Sequence, residues 1–521
     1  MAGYYVQNFG CRATQADGAA LERQFEERGL DRAPAPQQAE IVVLNTCTVT
    51  ASADQDARAA IRRLHRENPN CQIVVTGCYA QRAPQEVAAL PGVSRVVGNS
   101  HKHRLAELAG VKSRTSDFGL HTSDLDPPTL DLGLRTSDFG LADSGVGLRA
   151  SHTAAADSRH EKSFVPLTAL VANAGGGGLA EGRGPRADVG GPTSDVRVFI
   201  SDIFAHTELL AAPVFDAANE RTRPNLKVQD GCDNRCSFCV IPFVRGQSRS
   251  LPLSDVIREA GALVAAGYRE LVISGINLGR WGRDLASGSQ LSAFSHGLLR
   301  PTPFESLVRA ILAETSIEKL RISSVEPMDW TDSLIGLVAG TPRIAKHAHV
   351  PMQSGSDRVL RLMHRKYRPW HYREKIQKIR EAMPAAAIGA DVMTGFPGEN
   401  DADFEATRKM IEDLPFTYLH VFTYSARPGT PAASMPQQVP VQVARERNRV
   451  LRDLAAQKKQ AFMRSFVGQT LEAITLNVQE GNSTEALTDN YLKMRLAGKR
   501  DSNRWVQAQV AGMDGETLVG S

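Results

Sequence analysis

NLKVQDGCDNRCSFCV, residues 225–240, joins a run of strand length directly to three cysteines, Cys232, Cys236 and Cys239. In parallel α/β domains ligands collect beyond the carboxyl ends of the strands. Cysteines placed just after NLKVQ (225–229) therefore mark it as the first strand of such a domain. Downstream, RELVISG (269–275), EKLRISS (318–324), AKHAHVP (345–351), AAIGADVMTG (386–395) and TYLHVFTY (417–424) read as further strands. Between them lie helical segments such as LSDVIREAGALVAAG and DADFEATRKMIEDL. Six β/α repeats with right-handed crossovers predict a partial barrel, open on one side, over residues 225–440.

Residues 1–110 alternate in the same way. EIVVLNTCTV (40–49) and CQIVVTGCYA (71–80) read as strands separated by the amphipathic ASADQDARAAIRRLHREN, which predicts a small parallel α/β domain. YYVQNFGC and these two strands end in Cys11, Cys47 and Cys78, so three thiols from distant stretches would meet at one sheet edge. Cys71 opens its strand instead of ending it and reads as a core residue. Residues 111–195 differ: RTSDFGL occurs at 114–120 and again at 135–141, followed by Gly- and Ala-rich sequence. Such composition buries too little apolar surface to offset chain entropy, so a disordered insert is expected there, with a linker at 196–224. Residues 441–466 form a connecting helix with seven Lys or Arg against two Glu or Asp. The alternating stretch 467–521 suggests a small β-barrel.

The chain has 521 residues, enough for several domains, and a net charge of only +4, so any nucleic-acid-binding surface must be local. No signal peptide or apolar stretch of membrane-spanning length is evident, which makes a cytoplasmic protein without membrane attachment the expectation. Seven thinly spread cysteines do not form a secreted disulfide framework. Clustered thiols in a reducing compartment more often bind metal or do chemistry.

A Cys-x3-Cys-x2-Cys set could hold zinc with a remote fourth ligand, but structural zinc favours Cys-x2-Cys pairs and a tetrahedron closed by protein. An iron-sulfur cube on three thiolates instead leaves one iron open. The spacing, with Phe238 before the last cysteine, resembles the radical S-adenosylmethionine (SAM) enzymes, where SAM chelates that iron. CSFCVIPFVRGQSRS, GINLGRWG, RISSVEP, HVPMQSGSDRVLRLMHRKY, DVMTGFPGE and LHVFTYSARPGTPAASM are together similar to the methylthiotransferase family. Within it, RISSVEP, HRKY and LHVFTYSARPGTPAA look most like the MtaB-type tRNA enzymes, which act on N6-threonylcarbamoyladenosine at tRNA position 37.

The resemblance implies methylthiolation of adenine C2 and, as cofactors, SAM and two [4Fe-4S] clusters. Cys232, Cys236 and Cys239 match the radical SAM cluster, and Cys11, Cys47 and Cys78 match an auxiliary cluster. It points to Ser274 and Gly275 for SAM's amino group, Ser323 and Glu326 for its polar end, Gly395 and Gly398 for close approach of backbone to the adenosine, Phe238 for packing on the adenine, and Gln353 for SAM or substrate. His347 and His349 read as strand-packing residues. Thr14 stands where family members usually carry Asn, while Asp17 keeps an acidic residue. The stretch LRLMHRKYRPWHYREK mixes cations and aromatics suited to RNA, with Arg365, Lys366, Tyr367 and Arg368 as candidate contacts. The terminal barrel stands in the place of the family's TRAM domain. A tRNA anticodon stem-loop, a one-electron donor such as flavodoxin and a monomeric state are expected. The rival readings are MiaB-type action on isopentenyladenosine, RimO-type action on a ribosomal-protein aspartate, and a non-catalytic iron-sulfur RNA-binding protein.

Overall fold

The amino-terminal sheet is all-parallel, ordered β2-β1-β3-β4-β5-β6. Its strands are β1 (Gly3–Asn8), β2 (Asp31–Arg32), β3 (Ile41–Thr46), β4 (Gln72–Gly77), β5 (Val93–Val97) and β6 (Arg197–Phe199). The computed structural model describes residues 3–10, 12–111, 196–206, 209, 223–285 and 302–521, all within one unit. The expected insert lies outside the described residues apart from Val111, and so does Cys11. Central β3, IVVLNT, is buried at every position, as a parallel strand covered on both faces requires. Helices α1 (Arg12–Glu26) and α2 (Ala51–Glu67) follow β1 and β3, and the Thr50 hydroxyl caps α2 by accepting from Ala53 N at 3.2 Å. β6 corrects the sequence expectation, which left residues 196–224 as linker. A three-residue strand carries no periodic signal, and the free edge of β5 recruits it.

The partial barrel is present. β7 (Asn225–Asp230), β9 (Glu270–Gly275) and β10 (Lys319–Ile322) pair in parallel, as do β11 (His347–His349), β12 (Ala387–Thr394) and β13 (Tyr418–Thr423). Bridges Leu320–Ile344 and Ser324–His349 join the two groups. β8 (Arg249–Ser250), not anticipated from sequence, lies antiparallel on the outer edge of β7. The terminal strands β14 (Thr470–Glu480), β15 (Ser483–Thr488), β16 (Lys493–Ala497), β17 (Trp505–Asp514) and β18 (Thr517–Gly520) close into the expected small barrel.

The two smaller domains sit at opposite ends of the core strands. At the amino-terminal end, fully buried Arg321 pairs with Glu270 at 2.7 Å and donates to Asp489 O at 3.0 Å, while Lys319 reaches Glu472 at 2.9 Å, seating the terminal barrel. At the carboxyl end, Asp17 of α1 accepts from Lys102 and from Arg245, both at 3.0 Å, and from Lys227 of β7. Asp230 completes this network, 2.9 Å from Lys227 and 3.0 Å from Arg245. A second tie runs from Arg427, beyond β13, to Asp54 at 2.7 Å and Thr48 O at 3.2 Å.

Burial alone would raise the Asp17 and Asp230 carboxyls, but the surrounding Lys102, Lys227 and Arg245 overcome it and hold both well below the usual carboxylate range. Because the folded values lie below the unfolded ones, this contribution is full above the unfolded value of about 3.9 and declines as pH falls beneath it. Asp17→Asn is therefore expected to cost about 3–5 kcal/mol at pH 7. The deficit should shrink as pH is lowered from about 5 toward 3, as read from urea midpoints across that range.

Candidate active site

The triad loop is held by backbone on both sides. Cys232 N donates to Gly246 O at 3.0 Å, Cys239 N to Cys236 O at 3.1 Å, and Ser237 donates through N to Met363 O at 3.2 Å and through Oγ to Leu362 O at 2.7 Å. Donors face the sulfurs: Asn234 N at 3.4 Å and Asn277 Nδ2 at 3.6 Å from Cys232 Sγ, and an Arg365 guanidinium nitrogen 3.2 Å from Cys236 Sγ. Burial and then the neighbouring Cys236 push Cys239 up to about 12; Cys232 is pushed up to about 11, again by burial first, with Cys236 adding to it. Three partly buried sulfurs near one another ionise together only with bound positive charge.

The triad sulfurs do not all lie within 4.8 Å of one another. Zinc with Zn–S bonds of ~2.3 Å would hold its sulfurs about 3.8 Å apart. The wider arrangement suits the larger body of an iron-sulfur cluster.

Among the buried polar atoms near the carboxyl ends of the strands that have no hydrogen-bond partner are Ser274 Oγ at the end of β9, Asn277 Oδ1 just after it, and Gln353 Oε1 after β11. Buried polar atoms are rarely left unmet, so this set fits a polar ligand such as SAM's amino-acid end. Gln353 also adopts φ 61°, a left-handed conformation costly for a residue with a side chain and typical of functional positions. Ser323 is buried at the end of β10, with its N–H on Ile273 O at 3.1 Å. Asn277 was not singled out from sequence, although it lies within the GINLGRWG motif.

Other candidates are occupied differently from the sequence expectation. Glu326 is paired with Arg365. That arginine is only 7% exposed, and Tyr367 is buried with its hydroxyl donating to Met352 O at 2.7 Å, so both point inward instead of gripping RNA. Arg368 bonds backbone carbonyls of its own loop and lies 3.4 Å from Asp357. Lys366 stays exposed on the triad's rim with Arg280 and His364, and Trp370 beyond it is 57% exposed. Gly395, at φ +75°, gives its missing side chain to the long helix Val441–Arg464, since a Cβ would lie 2.4 Å from that of Ala444. A Cβ on Gly398 would meet Leu362 at an ordinary 3.5 Å, and one on Gly275 would press on Gln229 at 2.8 Å. Their demands come from the protein's own packing. Phe238 meets Phe396 edge-on at 6.4 Å.

In the amino-terminal domain Cys47 follows β3 and Cys78 follows β4, both buried. Gly10, the residue before Cys11, lies against Cys47: a Cβ there would fall 2.6 Å from Cys47 Cβ, and φ is +100°. Cys78 packs against Val240 and Val244, the first adjoining Cys239 and the second inside the helix Ile241–Arg245. Asn99 ties the same seam, donating to Val244 O at 2.7 Å and lying 3.6 Å from Cys78 Sγ. Cys78 thus borders the interdomain seam beside the segment that follows Cys239.

Comparison with known proteins agrees with this geometry. Residues 3–98 match the Uncharacterized protein family UPF0004, and residues 226–411 match the Radical SAM superfamily. A threonylcarbamoyladenosine tRNA methylthiotransferase MtaB of Bacillus subtilis is 31% identical over 96% of this chain and 92% of its own length. One from Aquifex aeolicus is 30% identical over 97% and 99%. A tRNA-2-methylthio-N(6)-dimethylallyladenosine synthase of Novosphingobium aromaticivorans is 30% identical over 90% and 86%. With a radical SAM core behind a UPF0004 domain and relatives alike over nearly their whole length, the chain belongs to the radical SAM methylthiotransferase family.

Proposed function

We propose that this chain methylthiolates C2 of N6-threonylcarbamoyladenosine at tRNA position 37, giving 2-methylthio-N6-threonylcarbamoyladenosine. The observation that carries the chemistry is the packing of Cys78 on Val240 and Val244, which sets Cys78 beside the segment that follows Cys239. The likeness to the MtaB enzymes over nearly full length supports the substrate. The dimethylallyladenosine synthases, alike at similar identity over 90% of the chain, keep isopentenyladenosine as the second reading.

Cys232, Cys236 and Cys239 would hold the radical SAM cluster, and Cys47 and Cys78 with Cys11 the auxiliary one. When bound, these groups supply one-electron cleavage of SAM, needed to attack an unactivated aromatic C–H bond, and the sulfur to be transferred. The chain's own residues bind and orient. Asn277 and Arg365 donate to the triad sulfurs, which favours their charged form. Ser274, Asn277 and Gln353 would satisfy SAM's amino and carboxylate groups. Exposed Lys366 would meet phosphate and Trp370 would stack on an unpaired base. Among the described residues no helix is long and apolar enough to cross a membrane. We infer a cytoplasmic monomer served by a small one-electron carrier such as flavodoxin.

Mass spectrometry of tRNA nucleosides from a deletion strain is expected to show loss of 2-methylthio-N6-threonylcarbamoyladenosine. Loss of the isopentenyl analogue instead would establish the second reading. Cys236→Ala should lower reconstituted iron from about eight to about four per chain and abolish 5′-deoxyadenosine formation. Ser274→Ala removes a hydroxyl with no protein partner, so the urea midpoint should correspond to a change within about 0.5 kcal/mol. SAM affinity in equilibrium dialysis should fall roughly tenfold.

A further inference from the structure

The barrel lumen holds a polar cluster that the site described above leaves unused. His349 ends β11, Asp391 lies in β12, and His420 faces Asp391 in register on β13. One donor atom from each lies within 4.8 Å of the other two. His349 is oriented by Ser324, whose Oγ is 2.9 Å from Nδ1, leaving Nε2 3.4 Å from Asp391 Oδ1. Toward the triad, Arg365, which touches Cys236 Sγ, is near enough to Asp391 to act on its charge. In the other direction His420 lines a cavity of about 700 Å3 together with Tyr418, Tyr491, the cations Arg223, Arg452, Lys459 and Lys493 and the acids Asp453 and Glu516. The cluster therefore runs from the neighbourhood of Arg365 into a roomy cavity lined by more cations than acids.

An apolar isopentenyl group seated here would strip water from imidazole and carboxylate groups without replacing their hydrogen bonds, at substantial cost. A threonylcarbamoyl group brings a carboxylate, a hydroxyl and a urea, which can meet all of them. We propose that His349, Asp391 and His420 form the pocket that reads the N6 substituent. Asp391 accepts from its hydroxyl or a urea N–H, and His420, where the cluster opens into the cavity, receives its carboxylate. This rests on the threonylcarbamoyladenosine reading given above and places that substrate's distinguishing group.

The test is equilibrium binding of the cluster-loaded full chain to fluorescent anticodon stem-loops carrying threonylcarbamoyladenosine, isopentenyladenosine or adenosine at position 37. The wild-type chain should prefer the first. His420→Ala and Asp391→Asn should each weaken that loop about 10- to 100-fold while leaving the unmodified loop within about twofold. His420→Gln, which keeps a hydrogen-bonding side chain, should recover part of the preference. Variants that keep the full preference, or lose all three loops equally, overturn the pocket and leave the substrate reading intact. A wild-type chain that prefers the isopentenyl loop overturns both. A zinc titration in which the loaded chain takes up one further ion, and Asp391→Asn does not, overturns the pocket in favour of a metal site.

Discussion

The Asp17 carboxylate carries the arrangement of the whole site. It lies on the first helix of the amino-terminal domain, yet two of its three cationic partners, Lys227 and Arg245, belong to the core, on either side of the cysteine triad in sequence. A carboxylate this deeply buried is tolerable only while those donors surround it, so undocking the domains would strand it or flood it. The network thereby fixes where Cys47 and Cys78 stand relative to Cys232, Cys236 and Cys239. Lys102, Lys227 and Arg245 outnumber the two carboxylates they serve, and Lys102 stands close enough to Cys78 for their charges to interact. That excess suits a place where thiolates gather.

Each end of the barrel is closed by a different kind of contact. At the amino-terminal end, the Arg321–Glu270 pair and the backbone carbonyls of residues 488 and 489 seat the terminal barrel. At the carboxyl end the Asp17 and Arg427 networks hold the amino-terminal domain. Between them the lumen keeps its polar lining, with His347 on the Tyr418 hydroxyl at 2.6 Å and His349 against Asp391. A lumen used only for packing would be filled by branched apolar residues, as closed α/β barrels commonly are.

The glycines and cations divide the legible from the illegible. Gly395 and Gly398 stand in a motif that suggests close approach to a nucleoside, but the space a side chain would fill at Gly395 is taken by Ala444, almost fifty residues away in sequence. Arg365 and Tyr367 read as an RNA-gripping pair because a string of cations and aromatics does not reveal which side of the turn faces inward; the ion pair with Glu326 and the carbonyl of Met352 draw them in. The periodic strands of both α/β domains were legible. Strand β6, at three residues, was not, since its existence depends on an available edge.

The sequence by itself determined the chemistry and the order of the domains. Cysteine spacing is local, a strand followed at once by three thiols is local, and hydrophobic periodicity is local, so each survives reading along the chain. Only the tertiary structure decided that Cys78 packs beside the segment following Cys239, that Asn277 and Arg365 supply donors to sulfur, and that His349, Asp391 and His420 meet from three strands. Those pairings join residues tens to hundreds of positions apart, and they form because burial leaves a charge or a polar atom no other partner.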